Sequence, residues 1–401
     1  MLHQSNFYSG NESRMDSFMQ IRRRIQLAAT VLTTMFYAFA GSAHAYTPPA
    51  PPTIEATAFI LQDYQTGNIL ASVNADLRIE PASLTKMMTS YVIEHELQSG
   101  RIRATDMVTV SEKAWRMEGS RMFVEVGRQI QLGDLLKGLI IQSGNDSTVA
   151  LAEHSAGSED SFASMMNTHA QRLGMKNTHW VNSTGLPDPN HFTTVHDLAI
   201  LSAALIRDFP DQYKLYSQKE FVFNGIKQHN RNTLLWQDAS VDGIKTGHTE
   251  TAGYCLAASA VRDNMRLISV VVGTKTDAAR AAESEKLLTY GFRFFQTVRL
   301  YKAGDRLTSV HVWKGERDQM ALGLAQDLVI TIPRGTYNEL KATMAVEPQL
   351  TAPITKGKAY GSVNLMLQGQ PFTRVPLVSF DEIPEAGFVG RATDTIKMWF
   401  E

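Results

Sequence analysis

The chain is predicted to be an α+β protein: a five-stranded sheet assembled from both ends of a helical block, then a small all-β domain and a short C-terminal amphipathic helix. Three observations predict this. Two short apolar runs precede a helical stretch and three more follow it, so the sheet must join segments distant in sequence. Beyond about Val298 the pattern changes to short β-type runs between turns, with no strong helix among them. At the end, Phe388, Ala392, Ile396, Trp399 and Phe400 fall on one helical stripe, with Arg391, Asp394 and Lys397 elsewhere.

Each element has its own signal. Arg22-Arg23-Arg24, the apolar stretch Ile25 to Ala40 and the small-x-small site Ala43-His44-Ala45 read as a secretory signal over residues 1–45. The competing reading is an uncleaved anchor, although the stretch is short for a membrane span and runs into Pro48-Pro49-Ala50-Pro51-Pro52. Ala58-Phe59-Ile60-Leu61 and Ile69 to Val73, joined by the turn-rich Asp63 to Asn68, predict a hairpin. Pro81 marks a helix entrance, and apolar residues from Leu84 to Leu97 recur at helical spacing. Leu132 to Arg207 reads as mainly helical, broken by the loop-forming run Asn182 to Pro189. Strand signals return at Val241 to Lys245, Tyr254 to Ser259 and Leu267 to Val272, followed by a helix from Ala278 to Phe295. In the last part, Val310 to Trp313, Leu328 to Ile332, Gly361 to Leu367 and Val375 to Val378 are β-type runs. The expected organisation is a signal and N-terminal extension over 1–45, a catalytic domain over 46–297, a β domain over 298–383 and a membrane-associating tail over 384–401.

Composition narrows the function classes. A chain of 401 residues with 43% hydrophobic and 20% charged residues folds into two or more domains and is not disordered. A net charge of −1 gives no electrostatic footprint for nucleic acid. The single cysteine, Cys255, has no partner for an intramolecular disulfide and reads as a small buried strand residue. No metal is expected: His95-Glu96 begins H-E-x-x-H, but Ser99 stands where the second histidine belongs, and the histidines are otherwise scattered. No G-x-S-x-G, P-loop or G-x-G-x-x-G is present, and no cofactor is expected.

The informative stretch is Ser83-Leu84-Thr85-Lys86, a hydroxyl and an amine three residues apart at a helix entrance. Positions i and i+3 share a helix face, so Lys86 is placed to take the proton of Ser83. Ser143-Gly144-Asn145 and Lys245-Thr246-Gly247 follow in order, the first between helices and the second on a later strand. Other S-x-N matches, at Ser9, Ser72 and Ser362, lie before the secretory signal, in an early strand and in the β domain. Serine is a poor nucleophile at neutral pH, so Lys86 must be neutral to act as its base. Burial and repulsion from Lys245 would both favour that form. By residue type Ser143 suits a proton relay, Asn145 a contact with an amide and Lys245 a contact with a carboxylate.

Together the S-x-x-K, S-x-N and K-T-G elements match the set shared by penicillin-binding proteins and class A β-lactamases. The longer segments Pro81 to Thr89, Gln142 to Asp146, Asp242 to Thr249 and Gly291 to Phe295 carry the likeness further. The chain resembles the low-molecular-mass penicillin-binding proteins, serine-type D-alanyl-D-alanine carboxypeptidases of the group with a second β domain and a C-terminal membrane anchor. The resemblance implies a penicillin-binding/serine β-lactamase-like domain whose five-stranded antiparallel sheet has helices on both sides. It also implies removal of the terminal D-alanine from peptidoglycan stem peptides through an acyl-enzyme, and acylation by β-lactam antibiotics. An oxyanion hole is implied at the backbone N–H groups of Ser83 and His248. Thr246 and Gly247 are carried over as substrate-binding residues, and Arg231 and Arg280 match positions that line the family's cleft, where an arginine fork suits a carboxylate. Each arginine keeps an alternative reading as a structural residue, as does His248. The protein is expected in the periplasm, peripherally attached to the inner membrane by its tail; the alternative for the tail is docking on the β domain.

Three rivals differ from this reading. A β-lactamase requires a glutamate to activate its deacylating water, and no E-x-x-L-N segment follows Ser143. A DD-endopeptidase that cuts cross-links uses the same residues, and sequence separates it poorly. A non-catalytic wall-binding scaffold has no need of a matched nucleophile and base.

Overall fold

The computed structural model describes residues 47–399. The secretory-signal reading of residues 1–45, and Phe400 at the end of the apolar stripe, lie outside the described residues.

Strands β1 (Ala58–Asp63) and β2 (Ile69–Val73) form the expected hairpin, with Phe59 opposite Val73 and Leu61 opposite Ala71. A 3₁₀ turn, Ala82–Leu84, leads directly into helix α1 (Thr85–Gln98). Most of α1 is buried, so Lys86, Thr89 and Glu94 share the interior with Met87, Met88, Val92 and Ile93. Helices α2 (Asn145–Ala156), α3 (Glu159–Leu173) and α4 (Val195–Asp208) complete the helical block. Ser158 and Thr194 cap α3 and α4 by accepting hydrogen bonds from the N–H groups of Ser161 and Asp197, which satisfies donors that the first helical turn leaves unpaired.

Strands β3 (Val241–Thr249), β4 (Gly253–Arg262) and β5 (Met265–Thr274) return to the same sheet, followed by helix α5 (Asp277–Phe294). The strand order is β2-β1-β5-β4-β3 and every pairing is antiparallel. Alternation along the strands divides the core in two. Ala58, Ile60, Ile268, Val270 and Ala257 face the helical block, whereas Phe59, Leu61, Leu267, Val271 and Ala258 pack with Leu287 and Leu288 of α5. Helices therefore cover both faces, and β3 is left as an edge strand.

The helix predicted to run through Phe295 ends at Phe294. Phe295 is already extended (φ −125°, ψ 160°) and opens strand β6 (Phe295–Tyr301) with no loop between. The all-β domain continues with β7 (Arg306–His311), β8 (Gln319–Gly323), β9 (Leu328–Pro333), β10 (Leu340–Val346), β11 (Ala359–Leu367) and β12 (Gln370–Ser379). β6 pairs with β9, and the other five form a sheet ordered β7-β8-β12-β11-β10. Its core contains Met320, Leu322, Ile330, Ile332, Val363, Leu365 and Leu377. The terminal helix α6 (Phe388–Lys397) buries none of its residues; Asp394 accepts a hydrogen bond from the Lys314 N–H at 2.7 Å, while Phe388 is 81% and Trp399 79% exposed. No helix among the described residues is long and apolar enough to cross a membrane.

Candidate active site

Ser83 lies in the 3₁₀ turn and Lys86 in the first turn of α1, so one short segment carries both. Ala82, just before the serine, is held in the left-handed region (φ 48°), a conformation that costs a non-glycine residue about 1–2 kcal/mol and that surrounding contacts must enforce. Lys86 is fully buried, and its Nζ lies 2.7 Å from Asn145 Oδ1, 2.7 Å from the Thr184 carbonyl oxygen and 3.1 Å from Ser83 Oγ. Burial, helped by the positive charge of Arg231, lowers the Lys86 pKa to about 7. In the neutral amine the two oxygens that can only accept take the two N–H bonds. The lone pair is then left for the Ser83 hydroxyl.

Ser143 follows a π-helical turn, Gly138–Gln142, and adopts a left-handed conformation (φ 63°, ψ 33°). Its Oγ accepts a hydrogen bond from Lys245 Nζ at 2.8 Å, and Lys245 also donates to the Thr246 carbonyl at 3.1 Å. Burial, then the neighbouring Lys86 charge, push Lys245 well below the ordinary lysine pKa. The two ammonium groups thus disfavour one another. Asn145 is engaged at both ends of its amide, since Nδ2 donates to the Glu118 carbonyl at 2.6 Å. Buried Asp146 accepts from the N–H groups of Met122, Phe123 and Val124 at 2.8, 2.8 and 3.2 Å, and so holds the segment that carries Gly119 and Ser120 into the cleft wall.

Gly247 of K-T-G stands where β3 crosses the serine turn. A Cβ there would lie 3.2 Å from Ala82 Cβ, the Leu84 nitrogen and the Pro81 oxygen, so a side chain would press the strand off the nucleophile. The resulting cleft encloses about 500 Å³ and is lined by Ser83, Ser143, Thr246, His248, Arg231 and Arg280, among others. The two arginines are held differently. Arg231 is exposed and donates from Nε to the Gln142 carbonyl at 3.2 Å, with no partner for its terminal nitrogens among the described residues. Arg280 is buried, donates to the Gly247 carbonyl at 3.1 Å and pairs with Asp277. His248 stacks on Tyr254, with ring centroids 4.0 Å apart.

Residues 45–276 match the family model described as D-alanyl-D-alanine carboxypeptidase, and residues 295–385 match that of the penicillin-binding protein 5 C-terminal domain. The chain belongs to the D-alanyl-D-alanine carboxypeptidase family. It is 45% identical over 391 residues to D-alanyl-D-alanine carboxypeptidase DacA of Escherichia coli, covering 94% of this chain and 97% of the relative. With D-alanyl-D-alanine carboxypeptidase DacC of the same organism it shares 47% identity over 357 residues, 87% of this chain and 89% of that one. Among solved structures, penicillin binding protein 5 from Haemophilus influenzae superposes with a TM-score of 0.81 at 45% identity, covering 84% of this chain and 99% of that one. The chain is accordingly a serine-type D-Ala-D-Ala carboxypeptidase with the penicillin-binding fold.

Within that carboxypeptidase cleft, all ten site residues named from the sequence gather around one space or directly behind it. Sequence reasoning missed Thr184, whose backbone oxygen holds Lys86, because a carbonyl has no residue signature; only the loop-forming run around it was visible. It also missed Tyr254, which the β3–β4 register places opposite His248. Asp146 was read only as the residue after S-G-N.

Proposed function

We propose that Ser83 attacks the carbonyl between the two terminal D-alanines of a peptidoglycan stem peptide, with neutral Lys86 accepting its proton. The observation that supports this most directly is the Lys86 geometry, in which two carbonyl-type oxygens occupy both hydrogens of the free amine and the serine hydroxyl meets the lone pair. The terminal carboxylate is assigned to Lys245, Thr246 and Arg231. An arriving anion favours the charged form of Lys245, and the restored charge further favours neutral Lys86. Ser143, bonded to Lys245, passes a proton to the departing D-alanine, and the backbone N–H groups of Ser83 and His248 receive the oxyanion. Asn145 Oδ1 holds Lys86 and one Nδ2 hydrogen holds the Glu118 carbonyl, so the second Nδ2 hydrogen and the second Oδ1 lone pair are what it offers a substrate amide. Water then releases the acyl group, while a β-lactam forms the same ester with Ser83. We divide the chain into a leader (1–45), a catalytic domain (46–297), a β domain (298–383) and a tail (384–401).

Free D-alanine released from a peptide ending in D-Ala-D-Ala tests the assignment. Ser83→Ala is expected to reduce release to background while leaving thermal unfolding within a few degrees of the parent. Undiminished release would remove Ser83 from the mechanism. A cross-linked stem dimer serves as the companion substrate, and preferential cleavage of the dimer would assign the cleft to endopeptidase work.

The proposed location is the periplasm, at the outer face of the inner membrane, with α6 lying in the lipid surface. Support comes from the exposure of Phe388, Val389, Ile396 and Trp399 (81%, 77%, 56% and 79%), apolar side chains that the β domain leaves uncovered. Deleting residues 388–401 is expected to move the protein from the membrane fraction to the soluble fraction with activity on a soluble peptide unchanged. Unaltered fractionation would send the apolar stripe elsewhere.

A further inference from the structure

Arg280 sits in the first turn of α5, and both terminal nitrogens of its guanidinium are engaged within the protein. One end donates to the Gly247 carbonyl oxygen at 3.1 Å, the other pairs with Asp277, and the group lies 5.6 Å from the Tyr254 ring centroid. Tyr254 in turn stacks on His248, its cross-strand partner. Each terminal nitrogen already gives one hydrogen to an acceptor inside the protein, a poor arrangement for a fork that must receive a substrate carboxylate with both. Arg231, with its terminal nitrogens unpartnered among the described residues, suits that task better.

The carbonyl that Arg280 holds belongs to the same peptide unit as the His248 N–H. A trans peptide is a rigid plane with its oxygen and its hydrogen on opposite edges. A cation at the oxygen draws electron density from the nitrogen and makes the N–H a stronger donor, and hydrogen bonds in series reinforce one another in this way. The position also needs fixing. Gly247 has no side chain to set the tilt of the peptide that follows it, whereas Arg280 grips that plane from one side and Tyr254 holds the His248 ring.

We propose that Arg280 is a positioning residue for the oxyanion hole, aiming and polarising the Gly247–His248 peptide, and not a ligand of the substrate carboxylate. The proposal rests on the reading of the His248 N–H as an oxyanion donor. Removing one such donor outright costs about 10²–10³ in rate, so weakening one is expected to cost roughly 10–100-fold.

Two acyl donors separate the roles: a peptide ending in D-Ala-D-Ala, and a D-alanyl thioester of an uncharged thiol, which has no terminal carboxylate. In both, Ser83 Oγ bonds to the carbonyl carbon through a tetrahedral oxyanion. The C–N or C–S bond then breaks, and the serine proton, held by Lys86, goes to the leaving amine or thiolate. Arg280→Gln is expected to slow acylation by both donors by a similar factor of roughly 10–100, with Arg280→Lys recovering part of the loss on both. Compared on the high-pH plateau, where Lys86 is neutral in parent and variant alike, Arg231→Gln is expected to slow only the carboxylate-bearing peptide. Slowing of the peptide alone by Arg280→Gln, or an unchanged rate with both donors, overturns the proposal and leaves the carboxypeptidase reading standing. If Arg280→Gln fails to fold, Arg280→Lys carries the same comparison, with equal slowing upholding the proposal and slowing of the peptide alone overturning it. Inactivity of the parent protein towards both donors removes the carboxypeptidase reading and this proposal together.

Discussion

Lys86→Met is expected to lower acylation of Ser83 by about 10²–10⁴-fold, the range that a positioned general base contributes, and to abolish the rise of the rate with pH. The expected parent profile follows from the protonation of Lys86. Below its pKa of about 7 the third N–H occupies the lone pair that must receive the serine proton. The acylation rate should therefore climb about tenfold per pH unit from acid conditions and level off above about 7. A lysine of ordinary pKa would keep the rate climbing to beyond pH 10. Because Arg231 is the largest charge effect after burial, Arg231→Gln is expected to move the inflexion to higher pH, separately from any change in the plateau. Single-turnover acylation by penicillin between pH 5 and 9 reads the position of the inflexion directly. A flat parent profile, or an inflexion that survives in Lys86→Met, would take the proton from Lys86 and give it to another group.

This chemistry was legible in the sequence only where side chains carry it. Ser83 and Lys86 had to be three residues apart on one helical turn, and K-T-G had to follow a strand, because a serine attack needs a base on its own face and a cation across the cleft. The sheet was legible from alternating apolar runs at both ends of the helical block. Backbone groups were not. The Thr184 oxygen reaches Lys86 across 98 positions of chain, and the Gly247 carbonyl holds Arg280 across 33. The structure also redistributes roles. From the sequence, the repulsion of the Lys86 charge falls to Lys245, whereas after burial the leading charge is Arg231; of the two arginines that suit a carboxylate, only Arg231 has both terminal nitrogens without a partner among the described residues.

The β domain was less legible for a different reason. β10 runs Leu340-Lys341-Ala342-Thr343-Met344-Ala345-Val346 with five of its seven residues exposed and none buried, so as an edge strand it has no buried face for its pattern to mark. β8 is only five residues long. β6 begins within the aromatic run Phe292-Arg293-Phe294-Phe295, where hydrophobicity alone does not show the change from helix to strand.

Gly185→Ala is expected to damage both stability and catalysis, since this glycine lies where the Asn182–Gly185 loop crosses the serine turn. Its φ is +86°, a conformation that costs residues with a Cβ about 1–2 kcal/mol. The added methyl would also fall well inside van der Waals contact of the Ala82 carbonyl and 2.7 Å from Thr85 Oγ1, both of them fixed parts of the core. Overpacking of this kind costs about 1–3 kcal/mol further when the backbone must move. The loop is the movable partner, although Asn182 Oδ1 ties it to the Gly185 N–H at 2.7 Å and Glu159 ties it through Ser183 at 2.7 and 3.0 Å. If the loop shifts, the Thr184 oxygen withdraws from Lys86, and one of the two acceptors that orient the lone pair is lost. The expected result is a fall in melting temperature together with an acylation rate reduced at least tenfold at temperatures where the variant is still folded. Leu186→Ala, one residue along on a side chain 39% exposed, is the control and should leave the acylation rate near the parent value. A Gly185→Ala protein with parental acylation and only a lower melting temperature would show that Thr184 is dispensable for orienting Lys86, and that Asn145 alone suffices.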